Sequence, residues 1–393
     1  MANRDIDLKA LARETRLVAA TRRFSEHGMV NPAVYHASTV LFPTAAAYHA
    51  RTQPYLYGRR GTPTSEALAA AVATIEGGFA AKICPSGLAA ITTTLLGFLK
   101  TGDHLLMTDN VYQPTRKFCD GMLKDLGIET TYYDPLIGAG IAGLMRPNTR
   151  MVYMESPGSL TMEVQDVPAM AAAAHEGGAL AVIDNTWSSG HFFNAFTHGC
   201  DISVQAATKY LVGHSDAMLG TITTTEAAWP QLAAQYLLLG QCAGPDDIYL
   251  ALRGIRTLDV RLVRHMENAL QVANWLAGRP EVSRVHYPAL PGDAGHALWQ
   301  RDFTGASGLF SVVLAPFPPH AVTAMLDDLA LFGMGASWGG YESLVVPFDV
   351  SSYRTATTWS PQGPALRFHI GLENPADLMS DLQAGFARLN AAR

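Results

Sequence analysis

Lysine is scarce in this 393-residue chain. Six of its 28 cations are lysines, and none follows Lys209. Lys209 closes the run Ser203-Val204-Gln205-Ala206-Ala207-Thr208-Lys209-Tyr210, which passes into the small Val212-Gly213-His214-Ser215. Most lysines are solvated surface residues, but this one sits where an apolar strand ends. A desolvated lysine loses basicity and becomes a nucleophile able to form a Schiff base. Twenty-five residues earlier, Val182-Ile183-Asp184-Asn185 puts an acid at the end of another apolar strand. Asp184 alone could cap a turn, pair with a metal or hold a protonated ring nitrogen. With Lys209 at the same sheet edge, the pair has the pattern of a pyridoxal phosphate (PLP) site.

Other motifs carry less. Pro85-Ser86-Gly87 lies between a short strand and an apolar helix. It reads as an ordinary strand-to-helix turn or as a seat for one phosphate at a helix N-terminus. Gly138-Ala139-Gly140-Ile141-Ala142-Gly143 matches a dinucleotide fingerprint, with Glu163 twenty residues on. Asp134-Pro135 separates it from the preceding strand, and Pro147 leaves no room for the helix that should follow. The 13 histidines show no H-E-x-x-H, no G-x-S-x-G is present, and His191 and His198 read as packing or turn residues. Metal catalysis is not expected.

Positioning these residues requires a doubly wound α/β sheet. Strands are expected at 79–84, 104–108, 128–133, 150–155, 180–184 and 202–205, with helices at 65–76, 87–100, 113–126 and 167–175 between them. Such alternation implies a mainly parallel sheet, whose ligands bind beyond the carboxyl ends of the strands. Residues 7–24 read as a helix, and 28–63 as an irregular arm rich in Gly, Pro and Tyr. Residues 245–277 read as one long helix. A smaller α+β unit follows, with strands near 309–314, 343–347 and 365–370 and helices near 320–330 and 375–390. The implied division is an arm over 1–62, a large domain over 63–255 and a C-terminal α+β domain over 256–393.

Composition bounds the rest. Apolar residues make up 48%, charged residues 16%, and the net charge is −6. The chain is globular rather than disordered, with no basic field for nucleic acid or an acidic membrane. Four dispersed cysteines without C-x-x-C argue against a disulfide framework or a structural zinc site. The acidic Met1–Asp7 segment lacks the apolar core of a signal peptide, and no run is long enough to span a bilayer. A cytoplasmic location is expected.

Three segments resemble the Cys/Met-metabolism PLP enzymes of fold type I. They are Asp184-Asn185-Thr186-Trp187, Ala207-Thr208-Lys209-Tyr210-Leu211-Val212-Gly213-His214-Ser215-Asp216 and Tyr57-Gly58-Arg59-Arg60-Gly61-Thr62-Pro63-Thr64. Within that family, Ser337-Trp338-Gly339-Gly340-Tyr341-Glu342-Ser343 and Arg367-Phe368-His369-Ile370-Gly371-Leu372-Glu373 resemble the bacterial cystathionine β-lyases. The likeness runs from about Thr15 to Leu389.

The resemblance implies a role for each matching residue. Lys209 holds PLP, Asp184 keeps its ring nitrogen protonated, and Tyr112 stacks on the ring and helps to deprotonate the incoming amine. Ser86, Gly87, Leu88 and Thr208 cradle the phosphate, and Tyr57 and Arg59 reach the phosphate of a neighbouring subunit. Arg367 grips the substrate α-carboxylate, and Ser337, Trp338 and Tyr341 line the pocket. It further implies β-elimination of an amino-acid thioether, L-cystathionine, by a homotetramer built from dimers with shared sites. A broader cystine or cysteine-S-conjugate β-lyase is the nearest rival, and a γ-lyase or γ-synthase a more distant one. One departure stands out: Ala206 occupies a position often held by Ser. Gln113-Pro114-Thr115 after Tyr112 separates the chain from the methionine γ-lyases, which carry Cys there.

Overall fold

In the computed structural model, which describes residues 7–393, seven strands form the large sheet. They are β1 (Ala80–Cys84), β2 (His104–Thr108), β3 (Glu129–Tyr133), β4 (Thr149–Glu155), β5 (Leu180–Asp184), β6 (Ile202–Gln205) and β7 (Gly220–Thr224), in spatial order β1-β7-β6-β5-β4-β2-β3. β3, β2, β4, β5 and β6 pair in parallel, and β7 lies antiparallel between β6 and β1. The apolar runs account for this arrangement: every residue of β2 is buried, and β5 is buried from Ala181 onward. Strands covered on both faces read as continuous apolar runs rather than alternating ones.

The helices between strands begin at local signals. Thr62 and Ser65 form a reciprocal cap at the start of Pro63–Glu76, which Gly77 ends in a left-handed turn at φ +73°. Ser86 caps Gly87–Phe98, and Asp166 caps Val167–Glu176. A second sheet, ordered β10-β11-β9-β8, is antiparallel throughout: β8 (Val282–His286), β9 (Leu309–Leu314), β10 (Leu344–Phe348) and β11 (Ala365–His369). One buried apolar cluster runs from Met154 and Ile183 of the large sheet to Phe310 and Phe368 of the second.

Several expectations need correction. The 245–277 helix is two helices, Pro245–Ile255 and Leu258–Ala277. The carbonyl of Gly254 turns to Thr257 N–H, the Thr257 hydroxyl and Arg261 Nη2, which breaks the ladder. The 7–24 helix shrinks to Arg13–Ala19, flanked by 3-10 turns. The 113–126 helix widens into a π-turn over Cys119–Leu123. The arm is irregular apart from the short helix Ala45–Ala50 and the turn Gly58–Arg60. β7, β8 and the helices Trp229–Leu238 and His296–Asp302 were not expected. The Gly138–Gly143 glycines run through a 3-10 segment, and Glu163 is ion-paired with Arg354 at 2.8 Å. Residues 1–6, most of the segment read for a signal peptide, lie outside the described residues. No described helix is long and apolar enough to cross a membrane.

Candidate active site

The parallel strands deliver their ends to one cleft, which the second sheet closes. Asp184 is the last residue of β5, and Lys209 lies in the turn just after β6. Arg367 comes from the middle of β11, and Ser337 to Tyr341 form a loop before β10. Lys209 Nζ donates to Ser337 Oγ at 2.7 Å and lies 5.3 Å from the centre of the Trp338 ring. Gly339, at φ +89°, has to be glycine: a Cβ there would come within 2.9 Å of the Lys209 backbone. Tyr210, beside Lys209, is fully buried against Trp338 and donates or accepts at His369.

Electrostatics sharpen the cleft. Burial, helped by the nearby Arg367 charge, pushes the Lys209 amine down to about 8, against the pull of Asp184. Burial raises the Asp184 carboxyl, while Thr186 N–H and hydroxyl donors and the Lys209 charge resist. Arg367 Nη2 donates to the carbonyls of Gly335 and Ser337 at 3.3 and 3.0 Å. Its Nε is buried with no hydrogen-bond partner among the described residues, and burial lowers the guanidinium to about 10. A desolvated guanidinium with an unspent N–H is built to receive a carboxylate.

The sequence-derived residues are distributed around this cleft. Tyr112 is half exposed and starts the helix Gln113–Phe118; its backbone N–H donates to Glu155 Oε2 at 2.8 Å. Burial raises its phenol, so it stays protonated at neutral pH. Gly87 and Leu88 occupy the first helical turn, where N–H groups lack intrahelical partners. Ser86 Oγ accepts from Ala89 N–H as the cap. The Thr208 hydroxyl is committed to Leu219, donating to its carbonyl and accepting from its N–H. Gly87 packs against Ala206: a Cβ on Gly87 would lie 2.5 Å from the Ala206 methyl and 2.8 Å from its Cα. Tyr341 is exposed at the loop's outer end.

Tyr57 and Arg59 are not gathered with the others. Both are exposed, and Arg59 donates to the carbonyl of Leu237 at 3.1 Å. Sequence reasoning missed Glu155 altogether, along with the Thr186 donors to Asp184. Thr186 was legible as an Asx-type neighbour two residues on from Asp184, whereas Glu155 had no local signal.

These groups fit PLP: an amine of reduced basicity, a carboxylate held at a strand end, a helix N-terminus and an unspent guanidinium. Fold and cleft together define a PLP-dependent enzyme of fold type I. The chain belongs to the Cys/Met metabolism PLP-dependent enzyme family, whose sequence profile matches residues 14–387. It is 46% identical over 388 residues to a cystathionine beta-lyase of Salmonella typhimurium, covering 96% of this chain and 98% of that one. A cystathionine beta-lyase of Escherichia coli gives the same identity and coverage. A crystal structure of cystathionine gamma synthase from Xanthomonas oryzae superposes with a TM-score of 0.90 at 31% identity, covering 98% of this chain and 100% of that one.

Proposed function

We propose that the chain is a carbon–sulfur lyase that cleaves L-cystathionine by β-elimination, consuming water and yielding homocysteine, pyruvate and ammonia. The observation that carries this reading is the 46% identity, over nearly the whole length of both chains, to proteins named for that reaction. A γ-synthase-like assignment rests on lower identity, 31%.

PLP, when bound, supplies an electron sink conjugated to the substrate Cα. Lys209 Nζ takes the Cα proton and later gives a proton to the departing sulfur. Its lowered basicity leaves a useful fraction neutral at physiological pH. Ser337 Oγ, at 2.7 Å, sets the direction of the amine. Asp184 holds the proton on the ring nitrogen. Arg367 binds the α-carboxylate and so orients the Cα–H bond toward Lys209, a positioning effect. Tyr112 covers the ring. Ser86, the Gly87 and Leu88 amides and Thr208 would hold the phosphate, the Thr208 hydroxyl in exchange for its bonds to Leu219. Trp338 and Tyr341 meet the variable end of the thioether.

The exposed Tyr57 and Arg59 complete the phosphate site of a neighbouring subunit, in a homotetramer of dimers. The working division is an arm to residue 62, a PLP-binding domain over 63–255 and a C-terminal domain over 256–393, in a cytoplasmic enzyme. A product assay on L-cystathionine tests the reaction. Pyruvate with homocysteine is expected; 2-oxobutyrate with cysteine would mean γ-elimination and overturn it.

A further inference from the structure

Glu155 is a buried acid that the mechanism above leaves unused. It ends β4 as Asp184 ends β5, and the two residues are direct register partners on adjacent parallel strands. Neighbouring strands lie only about 4.8 Å apart, and registered residues of a parallel pair face the same side of the sheet. Two carboxyl groups therefore share one water-poor edge. Both residues are more than nine-tenths buried. Two like charges so placed cannot both persist, and one of the pair keeps its proton.

The hydrogen bonds decide which one. Asp184 Oδ1 accepts from both the N–H and the hydroxyl of Thr186, and the Lys209 charge lies close by. Glu155 has no ion pair among the described residues; Oε2 accepts from Tyr112 N–H at 2.8 Å, and the Ser159 amide also faces it. Its other titratable neighbours, the Tyr112 phenol, Tyr153 on its own strand and Tyr353 from the segment before β11, are phenols that bring no positive charge. Burial and the Asp184 charge both push the Glu155 carboxyl far upward.

We propose that Glu155 is a positioning residue that works as a neutral carboxyl: it anchors the backbone of Tyr112 and leaves the pair's single negative charge to Asp184. Both effects act on the proposed cofactor site, so the inference rests on the roles given above to Asp184 and Tyr112. Tyr112 sits where a loop turns into a helix, and its amide is fixed from beneath by this acid. An ionised Glu155 would instead place a second anion beside Asp184 and raise that residue's own affinity for a proton. Asp184 would then be unable to serve as a fixed counter-charge.

The isostere Glu155→Gln separates charge from shape, because an amide is neutral and its oxygen still accepts from Tyr112 N–H. The PLP-loaded wild-type protein should show the infrared C=O band of a protonated, buried carboxyl, and E155Q should lose it. The pH midpoint of the cofactor absorbance should move by less than about 0.3 unit in E155Q, since no charge has been removed. Its kcat/KM should stay within about threefold of wild type. Glu155→Ala is also neutral but lacks the acceptor, so its kcat should fall by about tenfold or more, with the absorbance midpoint again in place. If E155A fails to fold, E155Q alone still decides. Absence of the infrared band, or a shift in E155Q of about one pH unit, the size expected on deleting a nearby buried charge, overturns the proposal. So does a kcat in folded E155A equal to wild type. Neither the infrared band nor the midpoint depends on which thioether is the substrate, so a wrong substrate leaves this test intact.

Discussion

Lys82 and Lys209 are both half-buried, and burial lowers the basicity of both. Their surroundings differ. Lys82, on β1, lies 5.1 and 5.2 Å from the rings of Trp229 and Tyr236. It borders a cavity of about 540 Å³ with Arg23, Arg59, Arg60 and Glu66 among its lining residues. Lys209 instead meets a hydroxyl from one loop, a carboxylate from β5 and a guanidinium from the second sheet. Desolvation makes an amine more often neutral, but it does not orient that amine. Reactivity needs groups from several elements aimed at one point, and only the cleft between the two sheets supplies them.

The largest test of that contrast replaces each lysine in turn. Lys209→Ala should lower kcat/KM on L-cystathionine by at least about 10²–10⁴-fold, because base and cofactor anchor go together. Lys82→Met should stay near wild type; a loss as large as that of K209A would break the comparison. Next comes the group from the second sheet. Arg367→Ala should cost on the order of 2–5 kcal/mol in kcat/KM on every amino-acid substrate alike. Arg367→Lys should recover only part of this, since an ammonium offers no planar fork. A loss confined to one substrate would mean that Arg367 reads the variable end instead.

The pH dependence sharpens the contrast further. The neutral amine is the nucleophile, so PLP capture by the apo-protein should accelerate as pH rises toward about 8 and level off above it. Below that point the rate should fall about tenfold per pH unit, measured by stopped-flow absorbance. A midpoint near that of an ordinary lysine would show that the cleft leaves Lys209 unperturbed.

The arm sets up a smaller effect. Arg59→Ala and Lys209→Ala subunits, each inactive alone, should regain activity when dissociated and reassembled together. Random pairing puts an intact composite site in about a quarter of positions. No recovery in verified hybrids would mean that each chain completes its own site. The smallest expected change is in selectivity. Trp338→Leu should alter the ratio of kcat/KM on cystathionine to that on cystine by roughly threefold or more, as reshaped apolar pockets do. An unchanged ratio would remove Trp338 from the variable end.

Much of this arrangement is local and therefore legible in the residues themselves. β2, β5 and β6 fall where their apolar runs stand, at 104–108, 180–184 and 202–205, because strands buried on both faces need no alternation. Asp184 and Lys209 announce themselves by ending two such runs. β7 is not legible as a strand because Gly220-Thr221-Ile222-Thr223-Thr224 looks polar; Thr223 donates to the buried Glu76, which also accepts from Gln205. The helix break after Ile255 is not legible because Arg261, from the following helix, captures the Gly254 carbonyl.

What the sequence by itself determined is the alternation of strands and helices, the edge on which Asp184 and Lys209 emerge, and the family motifs around them. Tertiary structure alone decided the partners. Ser337 Oγ meets Lys209 Nζ across 128 residues, and the Arg367 guanidinium on β11 is met by carbonyls of the loop that precedes β10, its neighbour in the second sheet. Glu155 faces Asp184 only because β4 and β5 pair in one particular register. Strand order and register are set by the packing of whole layers, so no spacing along the chain records them.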